Sequence, residues 1–326
     1  MSSAARQFQL VPMGARAPAG AAACDGVVPG AALDLSHWEG NATPQELKAD
    51  TSTEIALRFA RAGGSVDLAV NNHYDADGVL AVYALVRSDV ALANGDLLIA
   101  AAEVGDFDEW PADDRGLRLE AALRRMAMLK SDAAAYARVV RDLEGVLADL
   151  DAREDLWGEE WRALERARAR LSRGDVEASL EGSVAVFIHH REVDELRGPV
   201  LTRAARHLAD LHRQPAPTSW LLAFEREGGT WDYRFELARH AWADTVVRPK
   251  IPAPSRNATA VALSSACGVP FASWALKGDL GMTGVLRTKT PVSCSPEQVA
   301  RVLRDLGEGG PSRGVPSAGG STTLRA

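Results

Sequence analysis

Residues 66–86 read VDLAVNNHYDADGVLAVYALV, and this stretch decides the predicted fold. Its first five residues are apolar and β-branched enough for a buried strand. Its last eight residues are apolar apart from the hydroxyl group of Tyr83, which is typical of a buried helix. A strand that enters a helix through a polar loop is half of a βαβ unit, and ligands of open α/β sheets bind at the carboxyl ends of such strands. The stretch therefore predicts an α/β fold with a functional loop at residues 72–78.

The loop carries His73, Asp75 and Asp77 within five residues, and Gly78 follows them. The two carboxylates repel each other, and a cation between them reduces that repulsion. Carboxylate plus imidazole is a ligand set for Mg, Mn, Fe or Zn. The same letters also fit a plain turn, in which an Asp caps a helix and Gly adopts the left-handed conformation. His73 and the flanking apolar runs favour the metal-site hypothesis over the turn hypothesis.

The motif NHYDADG, residues 72–78, resembles the first motif of the DHH phosphoesterase superfamily in its His-x-Asp-x-Asp-Gly form. The strand before it and the apolar helix after it match the family context. The resemblance implies a mainly parallel sheet flanked by helices, with a helical insertion and a smaller C-terminal α/β domain. It also implies one or two Mn or Mg ions as cofactor, with His73, Asp75 and Asp77 among the ligands.

A second motif of the same family is a single Asp that two metals share, at a strand end soon after the first helix. Residues 97–104 are apolar apart from Glu103 and suit a helix or a strand, and Gly105-Asp106-Phe107-Asp108 follows them. By position, Asp106 corresponds to the shared metal ligand, with Asp108 as the alternative. The other interpretation is an acidic loop at the surface.

Residues 183–190, SVAVFIHH, predict a buried strand that ends in His189 and His190. The family is named for Asp-His-His at the end of a later strand, so the resemblance implies that both histidines are catalytic and that His189 also binds metal. Ile188 stands where the family has its Asp, and the motif is therefore incomplete. Neighbouring strand residues point to opposite faces, so at most one histidine faces inward unless the strand has ended. Two surface histidines are the alternative.

Residues 31–38, AALDLSHW, predict a further short strand that ends near His37 and Trp38. Either these two side chains face the same cleft as the loop, or Trp38 packs and His37 is a polar strand end. The layout predicts His37, His73, Asp106 and His189 near one edge of the sheet. Thr51 or Ser52 begins a helix that Gly63-Gly64 ends.

Composition shifts along the chain predict its organisation. Residues 13–30 are rich in Ala, Gly and Pro, QPAPT at 214–218 is typical of a linker, and the C-terminus is rich in Gly, Ser and Pro. The predicted parts are an irregular N-terminal arm at 1–30, a DHH-like metal-binding α/β domain at 31–213 that includes a helical segment at 113–173, a small C-terminal α/β domain at 218–307, and a disordered tail at 308–326.

The C-terminal part begins with a predicted hairpin, whose strands at 221–225 and 231–237 flank Gly228-Gly229. Arginines of this part are candidate anion-binding residues by type. Arg248 is the candidate that neutralises charge in catalysis, and Arg256 and Arg287 are the others. The segment GDLGMTGVLRT at 278–288 is rich in Gly but lacks the His of the corresponding family loop.

The net charge of −7 argues against duplex nucleic acid as an obligatory partner, because phosphate binding needs clustered Lys and Arg. No stretch reaches the roughly 18–20 apolar residues of a membrane span, and no signal peptide is predicted. The three cysteines form no CxxC pair, which indicates a reducing compartment and predicts a cytoplasmic protein.

Three functional hypotheses follow. The first is a metal-dependent hydrolase of a phosphate ester or phosphodiester, acting on a small phosphorylated substrate or a short nucleotide. The second is a non-catalytic DHH-like relative that has lost its metals and binds a nucleotide or a protein, which Ile188 favours. The third is a metal-dependent hydrolase of a non-phosphate bond. Metal content separates the second hypothesis from the others, and a substrate screen separates the first from the third.

Overall fold

The computed structural model describes residues 7–109, 111, 113–127, 132–190, 217–251, 256–277 and 284–307. These residues form two β-sheets that pack against helices, which confirms the predicted α/β class. In chain order the elements are β1 (Gln7–Leu10), β2 (Ala22–Cys24), β3 (Leu33–Leu35), α1 (Ser52–Arg61), β4 (Leu68–Asn71), α2 (Ala76–Val86), α3 (Ser88–Ala93), α4 (Gly95–Phe107), α5 (Arg115–Ala127), α6 (Ala133–Ala148), α7 (Glu154–Ser172), β5 (Val176–Glu181), β6 (Val184–His189), β7 (Ser219–Arg226), β8 (Thr230–Leu237), α8 (Arg256–Cys267), β9 (Trp274–Lys277), β10 (Val285–Thr288) and α9 (Pro296–Gly307).

The first sheet has four parallel strands in the order β1-β4-β2-β3. Two of its strands, β1 and β2, come from residues 1–30, so the predicted irregular arm is wrong. The strand β2 is the short sequence Ala-Ala-Cys, and all three residues are fully buried. Small side chains fit between close neighbouring elements but carry little strand propensity, and the sequence pattern therefore gave no signal for this strand.

The helix α2 lies at the centre of the first core, as its apolar sequence predicts. Val79, Leu80 and Tyr83 are fully buried, and α2 packs against α1 and α4. A helix that is apolar on all sides is a buried helix. The predicted helical segment 113–173 is confirmed as α5, α6 and α7, and Tyr136 of α6 belongs to the same core. No helix in the part of the chain described here is long and apolar enough to cross a bilayer.

The second sheet has six strands in the order β5-β6-β7-β8-β10-β9. The hairpin β7–β8 forms as predicted, with Gly228 and Gly229 at φ of 72° and 71°. The strand β6 pairs with β7 in parallel and not with the first sheet. The change from the first sheet to the second therefore falls between α7 and β5, and not at the predicted boundary near residue 213. The predicted boundary separated β6 from β7, because the local sequence does not show which strands pair with each other.

Other predictions lie outside the described residues. They concern most of the predicted linker, at 214–216, the first part of the Gly-rich segment, at 278–283, and the predicted tail at 308–326.

Candidate metal centre

Six acidic and imidazole side chains converge beside the first sheet. They form two clusters, and within each cluster the candidate ligand atoms lie within 4.8 Å of one another. Asp25 belongs to both clusters. Cluster A consists of Asp25, His37, Asp77 and Asp106, and cluster B consists of Asp25, His73 and Asp75.

Three of these residues follow parallel strands of the first sheet. Asp25 comes directly after β2, His37 comes two residues after β3, and His73 comes two residues after β4. The carboxyl ends of parallel strands meet at one edge of a sheet, which brings the three side chains together. Asp25 has a φ of 63°, in the left-handed region that Asp tolerates better than most residues.

Two helices supply the remaining carboxylates. Asp75 is the N-cap of α2, Asp77 lies in its first turn, and Asp106 lies in the last turn of α4. Asp106 lies close to the loop, as the sequence predicts. It lies on a helix, however, and not at the predicted strand end. Residues 97–104 are apolar apart from Glu103 because α4 packs into the first core.

The imidazole of His37 is held with its Nε2 atom toward cluster A. Its Nδ1 lies 2.6 Å from the carbonyl oxygen of Asp50. A carbonyl only accepts, so Nδ1 carries the proton and Nε2 is the free ligand atom of the neutral ring. The Nε2 atom lies 3.4 Å from Asp25 Oδ1, 3.5 Å from Asp77 Oδ2 and 3.2 Å from Asp106 Oδ2. Histidine that binds metal commonly donates its other ring N–H in this way.

None of these three contacts is aligned as a hydrogen bond. His37 Nε2 and Asp106 Oδ2 are buried and lack a hydrogen-bond partner. Buried polar atoms are nearly always hydrogen-bonded, and an unpaired group calls for an explanation such as an ion. An imidazole nitrogen and three carboxylate oxygens around one point are a donor set that fits a divalent cation.

The imidazole of His73 has the corresponding arrangement in cluster B. Its Nδ1 lies 2.9 Å from Asn72 Oδ1, and the Asn72 amide nitrogen donates to the carbonyl of Val27, which fixes the amide orientation. Its Nε2 lies 2.9 Å from Asp25 Oδ2 and 2.7 Å from Asp75 Oδ2. Both histidines therefore direct Nε2 at carboxylates, and Asp25 places one oxygen near each ring.

The neighbouring carboxylates raise the pKa of both histidines. Burial alone would lower the pKa of His73, but its contacts with Asp25 and Asp75 raise that pKa to about 11. Burial also opposes protonation of His37, and contacts with Asp106 and Asp25 still raise its pKa well above the ordinary value. Both shifts favour the protonated imidazole, whose positive charge balances part of the acidic charge when no metal is bound.

The acidic charge also raises the pKa of some of the carboxyl groups themselves. Burial, and then the charge of Asp25, raises the pKa of Asp77 to about 6. Burial, and then the charges of Asp77 and Asp75, raises the pKa of Asp106 well above its ordinary value, against the effect of His37. Close carboxylates of this kind cost free energy, and a bound cation reduces that cost.

The two carboxylates of the DADG sequence also organise helix ends. Asp75 Oδ1 accepts the N–H of Gly78 at 2.8 Å and so caps α2. Asp77 accepts the N–H groups of Ser52 and Thr53, both at 2.7 Å, at the start of α1. The turn hypothesis is therefore correct for the cap but wrong for Gly78, which is helical. A helix cap and a ligand cluster occupy the same loop.

Gly78 is needed for a close approach and not for its conformational freedom. A Cβ atom on Gly78 would overlap the side-chain Nδ2 atom of Asn71 and lie 3.0 Å from Asp75 Oδ1. We expect Gly78→Ala to destabilise the protein by about 1–3 kcal/mol through overpacking. Gly145→Ala, inside α6 with open space around the added atom, should instead stabilise it by about 0.5–1 kcal/mol. Urea unfolding of both variants measures the difference, and a stabilising Gly78→Ala would contradict the close approach.

Residues 239–250, which we call the strap, lie against cluster A. Ala243 forms a β-bridge with Trp38, and the N–H of Asp244 donates to the carbonyl of His37 at 2.7 Å. The Trp242 ring stands edge-on to the His37 ring, with centroids 4.9 Å apart. The segment that follows β8 thus covers the cluster and holds the backbone of one of its candidate ligands.

The contacts of the Trp38 indole decide between the two interpretations of the residues that follow β3. Its N–H donates to Asp25 Oδ1 at 3.2 Å, and its ring centroid lies 5.3 Å from that of His73. Trp38 is therefore a wall of the candidate metal centre that also orients one of its carboxylates.

His189 and His190 do not join either cluster in the part of the chain that the structure describes. The His189 ring is buried on β6 and stacks on Phe224, with centroids 4.6 Å apart. His190 is exposed and pairs with Glu177 at 2.8 Å and Glu225 at 3.2 Å. Their metal-binding and catalytic roles stay predictions, and the structure places β6 in the second sheet, away from the ligand sets of both clusters.

The catalytic role of Arg248 also stays a prediction, and the contacts of this residue lie within the protein. Its guanidinium group lies on the strap and pairs with three carboxylates, those of Asp50, Glu103 and Glu109. Its charge is neutralised inside the protein and is not available to a substrate. The side chain of Arg256 lies outside the described residues, and Arg287 lies on β10 in the second sheet. Asp108, the alternative to Asp106, pairs with Arg239 at 3.1 Å.

Asp25 is the residue that the sequence interpretation missed. It follows a strand within the region predicted to be an irregular arm. One signal could have found it, because Ala-Ala-Ala-Cys-Asp-Gly at 21–26 is a run of small apolar residues that ends at an acidic residue and a glycine. A Cβ atom on Gly26 would come 2.8 Å from the side-chain carbonyl carbon of Asn72, so this glycine lets the two loops approach each other.

Comparison with known proteins gives one family match. The model of a family of unknown function, DUF6687, matches residues 6–299, which include both clusters, the strap and all strands of the second sheet. A search of curated proteins found no match.

Proposed function

We propose that this chain, which belongs to the DUF6687 family of unknown function, is a metal-dependent hydrolase of a phosphate ester or phosphodiester and a divergent relative of the DHH superfamily. The observation that carries the proposal is Asp25, whose two carboxylate oxygens face the two clusters. A carboxylate shared by two neighbouring ligand sets is the arrangement that a pair of metal ions requires. Two-metal sites of this type are used for displacement at phosphorus.

The donor chemistry supports Mn²⁺ or Mg²⁺. The two clusters offer carboxylate oxygens from four aspartates and imidazole nitrogens from two histidines, without a thiolate. Oxygen-rich sites of this type suit Mg²⁺ and Mn²⁺ better than the softer metals. When bound, such ions polarise phosphoryl oxygens and lower the pKa of a coordinated water. Cluster A would hold one ion and cluster B the other, with Asp25 between them.

The roles of the surrounding residues follow from their contacts. The carbonyl of Asp50 and the amide of Asn72 fix the tautomers of His37 and His73, so that Nε2 is the ligand atom in each ring. The rings of Trp38 and Trp242 lie against His73 and His37, respectively. Within the described ranges, the clusters' carboxylates form salt bridges with these two histidines alone. The ions themselves would therefore supply the positive charge that stabilises a phosphoryl transition state.

The incomplete Asp-His-His motif does not favour a non-catalytic relative. Both clusters are built from residues 25–106, and Ile188 belongs to neither. Loss of the family's Asp at that position therefore leaves the candidate ligand set complete. The proposed substrate is a small phosphorylated molecule or a short nucleotide.

Hydrolysis of chromogenic esters by protein purified without chelator tests the proposal. We expect bis-p-nitrophenyl phosphate or p-nitrophenyl phosphate to be hydrolysed with Mn²⁺ or Mg²⁺, and the rate to fall to background with EDTA and return with metal. Elemental analysis should give one to two ions per chain. Metal binding together with hydrolysis of p-nitrophenyl acetate alone would indicate a non-phosphate substrate, and absence of bound metal would contradict the proposal.

A further inference from the structure

A cavity of about 320 Å³ lies against cluster B, where the loop at residues 72–78 meets the helices α4 and α5. Asp75 belongs both to cluster B and to the wall of this cavity. The volume lies at the lower end of the range of small-molecule sites. A ligand in the cavity would therefore lie beside the proposed metal ion of cluster B.

The two clusters differ in their exposure to solvent. In cluster A the side chains of His37 and Asp77 are fully buried, and that of Asp106 is 6% exposed. In cluster B the side chain of His73 is 19% exposed and that of Asp75 is 35% exposed. Solvent, and with it a substrate, therefore reaches cluster B and not the enclosed cluster A.

Two contacts fix one wall of the cavity. The hydroxyl group of Tyr74 donates to the carbonyl of Leu123 on α5 at 2.8 Å, and the Tyr74 ring stands edge-on to the buried ring of Tyr136, with centroids 5.9 Å apart. Small residues line another part of the wall, among them Gly105 on α4 and Ala127 at the end of α5. The space is thus bounded by fixed elements and kept open by the absence of large side chains at these two positions.

The polar part of the wall is an ion pair on α5. The side chain of Arg124 is 40% exposed and pairs with Glu120 at 2.5 Å and with Glu160 of α7 at 3.3 Å. These carboxylates balance the guanidinium charge, so a second negative charge on a ligand would meet no uncompensated cation here. Both ion pairs use Nη2, and the N–H groups of Nε and Nη1 make no contact with the described residues. They can therefore donate to an uncharged acceptor such as a hydroxyl oxygen.

We propose that this cavity binds the organic group of the substrate, and that the substrate is the phosphate ester of a small polyol. The inference rests on the proposed function, because cluster B must hold a metal ion that binds the phosphoryl group. A hydroxyl group both donates and accepts hydrogen bonds, so it suits a wall that carries a guanidinium group and carboxylates. Arg124 and Ala127 are then residues that determine specificity for the organic group.

Calorimetric titration of the full chain with three phosphonates tests this pocket, in buffer with saturating Mn²⁺. A carbon atom replaces the ester oxygen in each probe, so none is hydrolysed. Methylphosphonate reports on the metal alone, 3,4-dihydroxybutylphosphonate adds a polyol group, and 2-hydroxy-4-phosphonobutyrate carries a carboxylate in place of one hydroxymethyl group. We expect the dihydroxybutyl probe to bind about tenfold or more tightly than the other two.

The test variant is Ala127→Leu, which fills the cavity from its wall. It should weaken the dihydroxybutyl probe about tenfold or more and leave the affinities for Mn²⁺ and methylphosphonate unchanged. The matched control is Ala148→Leu, because Ala148 is the exposed last residue of α6 and does not line the cavity. A thermal unfolding scan checks the fold, and Ala127→Met, with a more flexible side chain, replaces Ala127→Leu if that variant does not fold.

The outcomes separate this pocket from the metal centre. A wild type that binds neither Mn²⁺ nor methylphosphonate would overturn the proposed function and the pocket with it. A wild type that binds both, with equal affinity of the Ala127 variant and the wild type for the dihydroxybutyl probe, would overturn the pocket alone. Equal loss in Ala127→Leu and Ala148→Leu would do the same. Binding of the carboxylate probe as tightly as the dihydroxybutyl probe would overturn the assignment of a polyol ester.

Discussion

Replacing Asp106 by Asn should abolish metal binding at cluster A and leave the metal-free protein at least as stable as the wild type. Asp106 Oδ2 is buried without a hydrogen-bond partner and lies among the carboxylates of Asp25 and Asp77. In the metal-free protein this charge is a cost, so an amide of the same shape should relieve repulsion. With metal present the lost charge removes a ligand, and we expect Mn²⁺ affinity to fall on the order of 100-fold or more.

Two further variants make the Asp106→Asn result specific. Asp108→Asn removes an acidic side chain two residues away that pairs with Arg239 and lies in neither cluster, so Mn²⁺ affinity should not change. Asp77→Asn should weaken Mn²⁺ binding and also lose about 1–2 kcal/mol of stability without metal, because an amide nitrogen cannot accept from Ser52 or Thr53.

The measurements are Mn²⁺ titration by calorimetry and thermal unfolding with and without Mn²⁺. A wild type whose unfolding temperature does not respond to Mn²⁺ would remove the basis for the metal centre. An Asp106→Asn variant that keeps wild-type Mn²⁺ affinity would show that the ion, if bound, sits elsewhere. A metal-free Asp106→Asn protein less stable than the wild type would contradict the repulsion argument.

The part of the candidate site that a local motif encodes was predictable from the sequence. His73, Asp75 and Asp77 lie within one loop, and the apolar runs beside them specify the strand β4 and the helix α2. The burial of a strand or helix determines the spacing and the composition of its apolar residues. Asp106 was also found, through its position after the next apolar run, although that run forms a helix.

The rest of the site depends on strand pairing, which the sequence does not display. Asp25 joins the site because β2 inserts between β3 and β4, and a three-residue strand of small side chains has little strand propensity of its own. His189 was misplaced for the same reason, because a buried strand fits either sheet until its partner is known. Hydrophobic pattern fixes which face of a strand is buried but not which neighbour it pairs with.

The strap is a further feature that no local pattern indicates. It joins residues nearly 200 positions apart, as in the contact between Arg248 and Asp50. The Asp50 carboxylate accepts the backbone N–H groups of Val246 and Val247 and pairs with the Arg248 side chain. Burial alone would raise the pKa of Asp50, but these partners lower it below the ordinary value. The carbonyl of the same residue accepts from His37, so one residue connects the strap to cluster A.

Replacing Arg248 by Met should therefore be the most destabilising single change in the strap. It would leave the carboxylates of Asp50, Glu103 and Glu109 close together without their shared cation. Loss of one partner of a buried ion pair costs about 3–5 kcal/mol, and we expect the lower part of this range because Glu109 is partly solvated. Urea unfolding measures the free energy, and Lys250→Met is the matched control, because Lys250 is mostly exposed and lies 3.6 Å from Asp244.

The same variant tests whether the strap positions a metal ligand. If Asp50 transmits the position of the strap to His37, Arg248→Met should weaken Mn²⁺ binding about 10- to 100-fold, whereas Lys250→Met should leave it unchanged. The titration is made at a temperature at which both variants are folded. Unchanged Mn²⁺ affinity in a destabilised Arg248→Met protein would show that the strap joins the two parts of the chain without orienting His37. An Arg248→Met protein as stable as the wild type would contradict the network of ion pairs itself.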